Sequence, residues 1–143
     1  MIPDPERTII AALRHYMPDL TYQGRPAIYA ESQEDWYKQD YLLLRATPGG
    51  ASPMPHLWSV CYFEVEAFSS TRAGASLLAR RAASHLAQAS REGYRYETAE
   101  EAGYLFGFRQ VNAPSIVYDG LSSKHSDIFM FQGTYQISVR ALR

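Results

Sequence analysis

The chain has 143 residues, 46% of them hydrophobic and 20% charged, an ordinary balance for one globular domain with a core of its own. A single cysteine, Cys61, excludes an internal disulfide framework, and the formal net charge of −1 gives no global field to draw nucleic acid or an anionic membrane. No run reaches the ~20 apolar residues of a membrane span, and Pro3, Asp4, Pro5 and Glu6 stand where a signal peptide would need basic and then apolar residues. The expectation is a chain made in a cytoplasm.

Asp4 followed by Pro5 is a helix start, an N-cap with proline at the first helical position. Ile9, Ile10, Leu13, Tyr16 and Met17 recur at helical spacing before Pro18, so the first helix is predicted over Pro5 to Met17. Ala27–Ala30 is a short apolar patch that fits a first strand. The acidic stretch around Trp36 and Tyr37 reads as a loop or short helix. Tyr41 to Ala46 reads as a buried strand, with Leu42, Leu43 and Leu44 apolar to both faces. Three prolines and two glycines in residues 47–56 mark a loop.

Leu57 to Val65 is the next strand. Its odd positions (Leu57, Cys61, Phe63, Val65) suit a core, while its even positions present Trp58, Val60 and Tyr62, then Glu64 and Glu66. Apolar groups on both sides predict a central strand or one that meets a partner. Ser69, Ser70 and Thr71 supply N-caps for the longest helix, Thr71 to Arg91, which Gly93 closes. Ala75, Leu78, Ala82, Leu86 and Ala89 form one stripe of that helix, and Arg72, Arg80, Arg81 and Arg91 mark its wetter side. Glu97 to Glu101 reads as an acidic connector. Tyr104 to Val111 is a strand with Gly107 as a bulge candidate. Asn112 to Pro114 is predicted to turn the chain, with Ile116 to Tyr118 continuing the pairing, and Asp119 to Asp127 is a polar link.

The closing run, Ile128 to Ala141, alternates most clearly. Phe129, Phe131, Gly133, Tyr135, Ile137, Val139 and Ala141 fall on one face, and Met130, Gln132, Thr134, Gln136, Ser138 and Arg140 on the other. Gly133 is expected to bend or bulge the strand, and the outer part of this long strand to project from the body. The order helix, strands, helix, strands predicts a single α+β domain over residues 1–143. Its sheet is mixed and mostly antiparallel, with about four to five strands and two main helices packed on one face.

No constellation carries convincing chemistry. His15, His56, His85 and His125 lack metal-ligand spacing, and Cys61 belongs to no CxxC pair. His56 lies five residues from Cys61, but a cysteine on an apolar strand face is usually a small core residue. The acidic clusters Glu31/Glu34/Asp35 and Glu97/Glu100/Glu101 lack a calcium-loop pattern. Gly49-Gly50 lacks the following lysine of a phosphate loop, and the residues around Ser76 form no nucleophile elbow. No catalytic residue, metal or cofactor is therefore expected. Charge is distributed unevenly: residues 1–66 hold five basic and nine acidic side chains, residues 67–143 nine and six. Such asymmetry suits copies packing head to side. Eleven tyrosines and two tryptophans favour protein contacts, since these side chains are enriched at interfaces.

A strand ending in an acidic residue leads into an Ala-rich helix (VEAFSSTRAGASLLARRAASHLAQA, Val65–Ala89). An aromatic strand follows, then a proline turn with an acidic residue shortly after (NAPSIVYDG, Asn112–Gly120) and a final FQGTYQISVR (Phe131–Arg140). This pattern, across roughly residues 57–143, resembles the tail terminator (tail completion) proteins of long-tailed bacteriophages. Many members carry a basic residue early in the last strand, where this chain has Phe129-Met130-Phe131. The resemblance implies a non-enzymatic virion protein at the head-proximal end of the tail, made in the bacterial cytoplasm. It implies a homo-oligomeric ring, a hexamer, that caps the tail tube, stops its polymerisation and presents a surface to the head-side connector or stopper. The candidate contact residues are Trp58, Val60 and Tyr62, with Phe129, Phe131 and Tyr135 of the last strand. A related neck protein, a connector or stopper subunit, is the nearest alternative. A small ligand-binding or enzymatic domain with an aromatic pocket of Trp36, Tyr37 and Trp58 is the alternative from another class. A nucleic-acid module fits less well, because the basic residues are scattered.

Overall fold

The computed structural model describes residues 3–30, 40–47, 57–118 and 128–142. Helix α1 (Pro5–Tyr16) starts as the sequence dictates: the Asp4 carboxylate accepts the Glu6 N–H at 3.1 Å, and Pro5 fills the first turn where no N–H is needed. Gln23 and Gly24, both with positive φ, make a tight hairpin between β1 (Thr21–Tyr22) and β2 (Arg25–Pro26), a feature the apolar pattern does not announce. The remaining strands are β3 (Ile28–Tyr29), β4 (Tyr41–Thr47), β5 (Trp58–Ser69), β6 (Arg95–Glu97), β7 (Ala102–Tyr118) and β8 (Phe129–Ala141), in the spatial order β3-β4-β5-β8-β7-β6. Among the described residues only the β3–β4 pair is parallel. Helix α2 (Arg72–Glu92) is capped by the Thr71 hydroxyl, which accepts the Gly74 N–H at 3.0 Å, and ends at left-handed Gly93.

This is the expected α+β architecture. The short edge strands β3 and β6 bring the mixed sheet to six strands, and both helices lie on one face. The predicted α2 stripe is the buried one: Ala75, Leu78, Ala82, Leu86 and Ala89 are at most 4% exposed. They belong to one contiguous buried cluster with Phe63, Val65, Leu105, Tyr135, Ile137 and Val139 of the sheet's helix-covered face. Tyr29 of β3 and Tyr96 of β6 line one groove along α1 although their strands stand at opposite ends of the sheet. The sheet therefore curls around α1, an accumulation of ordinary strand twist.

Three expectations are corrected. First, β8 does not project. It pairs with β5 from Phe129 to Arg140 and with β7 on its other side, which makes it a central strand. Second, Asn112 to Pro114 is no turn. Strand β7 runs through it, and the proline falls in a register shift between Asn112 and Ser115, where one extra residue leaves the ladder without needing an N–H. Similar shifts at Phe106/Arg109, Gln110/Asn112 and Ile116/Tyr118 roughen a long sheet edge, a common protection against unwanted strand pairing. The first of these contains Gly107 at φ 66°, the expected bulge. Third, Gly133 neither bends nor bulges its own strand against β5: it stands directly opposite Val65 in unbroken register. It is glycine because the Tyr135 ring folds back across it, where a Cβ would collide with the phenol.

Candidate assembly interface

Alternation and register divide the sheet into two faces. Phe63, Val65 and Ala67 of β5 pair with Tyr135, Gly133 and Phe131 of β8 on the helix side. Trp58, Val60 and Tyr62 pair with Arg140, Ser138 and Gln136 on the opposite side, and all three are half-buried. The Trp58 and Phe106 rings lie 6.4 Å apart, and Phe106 is 6.0 Å from Tyr104, so the two strands flanking β8 bring a shared aromatic patch onto the helix-free face. Trp58, Val60 and Tyr62 therefore stand together. Phe129, Phe131 and Tyr135 stand elsewhere, on the helix side. Phe131 is 9% and Tyr135 1% exposed, so their side chains serve the chain's own core, while Phe129 is half-buried.

The helix-free face is not uniformly wet. At its β4 end Tyr41, Leu43 and Phe68 are buried, with Tyr41 stacked on Phe68 at 4.6 Å and Tyr29 edge-on to Tyr41 at 6.1 Å. Glu66 lies among them, 8% exposed, with Arg45 Nε at 3.7 Å. Burial pushes the Glu66 carboxyl above its usual range; Arg45 pulls against that shift and Glu64 adds to it. The folded chain thus holds this proton more tightly than the unfolded chain does. Stability from this group is greatest below the ordinary carboxylate range and falls as pH rises through the raised value. Glu66→Gln is expected to be more stable than wild type at pH 7, with the difference vanishing below about pH 4. Urea denaturation at both pH values checks this. A Gln variant less stable at pH 7 would mean that the Arg45 pair outweighs the burial.

Burial raises the Cys61 thiol to about 11, with Asp4 and Glu6 adding to the shift, so it is held protonated and is no nucleophile at neutral pH. Its suggested partner His56 lies outside the described residues, as do Trp36, Tyr37, Gly49-Gly50 and the Glu31/Glu34/Asp35 cluster. Among the described residues no three His, Cys, Asp or Glu side chains gather as metal ligands, and no helix is long and apolar enough to cross a membrane. His15, Tyr16, His85 and Tyr94 form a ring cluster where α1 meets α2, and the Tyr16 hydroxyl donates to the Glu92 carboxylate. Arg81 grips Asp19 with two contacts of 3.0 and 3.2 Å. Sequence reasoning does not find this seam, because the partners lie more than sixty residues apart.

The class this geometry defines is a curled, mostly antiparallel sheet with two helices on one face and an aromatic patch on the other. A protein chain in the virion of a native gene transfer agent (GTA) particle shares that fold, with a TM-score of 0.63 and 14% identity. The match covers 96% of this chain and 95% of that one. No protein-family model matches the chain, and no curated protein is similar to it in sequence. At such identity the likeness establishes shared architecture from end to end.

Proposed function

We propose that this chain is a structural protein of a phage-like virion, and within that class a tail terminator: a ring that caps the tail tube, ends its growth and offers the tail-side surface of the head–tail joint. The observation that carries the proposal is the likeness to a GTA virion chain, which extends over 96% of this chain and 95% of that one. The sequence pattern over Val65–Ala89, Asn112–Gly120 and Phe131–Arg140 points the same way. So does the aromatic patch of Trp58, Phe106 and Tyr104 on the helix-free face, since aromatic side chains are enriched at protein interfaces.

In this reading the helix-free patch of Trp58, Val60 and Tyr62 is buried between subunits or against the tube. Trp58→Asp is expected to leave a cooperative monomer while abolishing assembly, because an unpaired carboxylate in such a contact has no solvent and no partner. Circular dichroism and light scattering on the variant check both halves; rings that form unchanged would remove this patch from the interface. Binding to isolated tails, with no binding to DNA-filled heads that lack tails, is expected of a terminator. The reverse would identify a head-side neck protein.

A further inference from the structure

Two exposed features of opposite charge stand at opposite ends of the sheet. At one end Arg72, Ala73, Ser76 and Arg80 of α2, with Phe131 of β8 beneath them, line an open groove of about 630 Å³. The two arginines are eight helical steps apart, about 12 Å. Both are exposed, and neither has a carboxylate within ion-pair reach among the described residues, whereas neighbouring Arg81 is held by Asp19.

At the other end Glu97 closes β6, and Glu100 and Glu101 follow in the turn to β7. Thr98 fixes it. Its N–H donates to the Glu101 carbonyl at 2.7 Å, and its hydroxyl accepts the N–H groups of Glu100 and Glu101 at 3.3 and 3.1 Å. The result is a pre-shaped acidic knuckle with no cation in ion-pair reach among the described residues. Register keeps the two features apart within one chain. Phe131 marks the groove, while Ala141, opposite Gly103, marks the knuckle, ten residues of β8 or roughly 33 Å away.

We infer that the occupant of the groove is the acidic knuckle of a second copy of this chain: Glu97, Glu100 and Glu101 of one subunit dock against Arg72 and Arg80 of the next. Complementary charges on different patches make a heterologous, head-to-tail contact, the kind that closes into a ring. They fix register and speed encounter more than they add raw affinity. The inference deepens the ring proposed above and rests on it.

The test is the assembly of three variants followed by light scattering: Arg72→Glu/Arg80→Glu, Glu100→Arg/Glu101→Arg, and all four changes together. Each pair alone is expected to raise the protein concentration needed for assembly at least ten-fold, with unchanged circular dichroism. The quadruple variant is expected to return to within a few-fold of wild type. An equimolar mixture of the two paired variants is also expected to assemble, because every groove then meets a turn of opposite sign. Wild-type rings that neither pair weakens would overturn the inference and leave the ring reading intact. Rings unaffected by groove reversal, but no longer able to bind tail tubes, would assign the groove to the tube protein and overturn it too. A wild-type chain that forms no ring with or without tubes would sink both.

Discussion

Tyr135→Ala is expected to cost about 3–5 kcal/mol of unfolding free energy, a large share of the ~5–15 kcal/mol that holds a typical domain together. The ring is 1% exposed and sits between Phe108 at 5.5 Å and Phe63 at 5.8 Å, so its removal leaves a void lined by aromatics beneath α2. The same contact is tested from below. A Cβ on Gly133 would lie 2.7 Å from the Tyr135 Cζ, and the confined ring has nowhere to move. Gly133→Ala is therefore expected to cost about 1–3 kcal/mol by overpacking. The two effects must not add: in a Tyr135→Ala background the new methyl enters the space the ring vacated, and the Gly133 change is expected to be close to neutral. Tyr135→Phe is the control. Burial holds that phenol protonated, pushing it up to about 12, and no described residue accepts its proton, so losing the hydroxyl changes little. Urea midpoints at constant m measure the whole cycle. Additive losses would mean that Gly133 is required for some reason other than the ring above it.

The second large effect is expected on the buried stripe of α2. Leu86 is fully buried, and Leu86→Ala is expected to cost about 2–5 kcal/mol through lost transfer energy and a residual cavity. Ala82, one turn earlier on the same stripe and equally buried, is expected to respond in the opposite sense to size: Ala82→Leu costs about 1–3 kcal/mol by forcing the helix away from the sheet. Both follow from the composition of the stripe, where Ala75, Ala79, Ala82 and Ala89 allow close approach and Leu78 and Leu86 fill the gaps. Thermal or urea unfolding of the two variants checks the pair. An Ala82→Leu variant as stable as wild type would show room above the sheet that close packing denies.

What was legible in the sequence was local. Asp4-Pro5 and Thr71 announced the two helix starts, and Gly93 the end of the second, because caps are read from one or two residues. Period-two alternation gave β8 and its buried face. The same alternation does not say which face of the sheet the helices cover, so from sequence alone Phe131 and Tyr135 are contact candidates alongside Trp58. Register decides that question, and register is set by residues far apart in the chain. Pro114 read as a turn because a proline normally removes a ladder hydrogen bond; the bulge that accommodates it is visible only against β8. Gly133 read as a bend because its reason, the ring two residues on, depends on a rotamer. Arg72, Arg80 and the Glu97–Glu101 run were each visible as charges, but their placement at opposite ends of one sheet comes from topology.

The most direct test of the account is the solution mass of the purified protein by light scattering, alone and with tail tubes, with negative-stain images of the same samples. The expected result is a six-fold ring with a central hole, formed in solution or on the tube end, and tubes that stop growing once capped. A protein that stays monomeric and ignores purified tail tubes would contradict it.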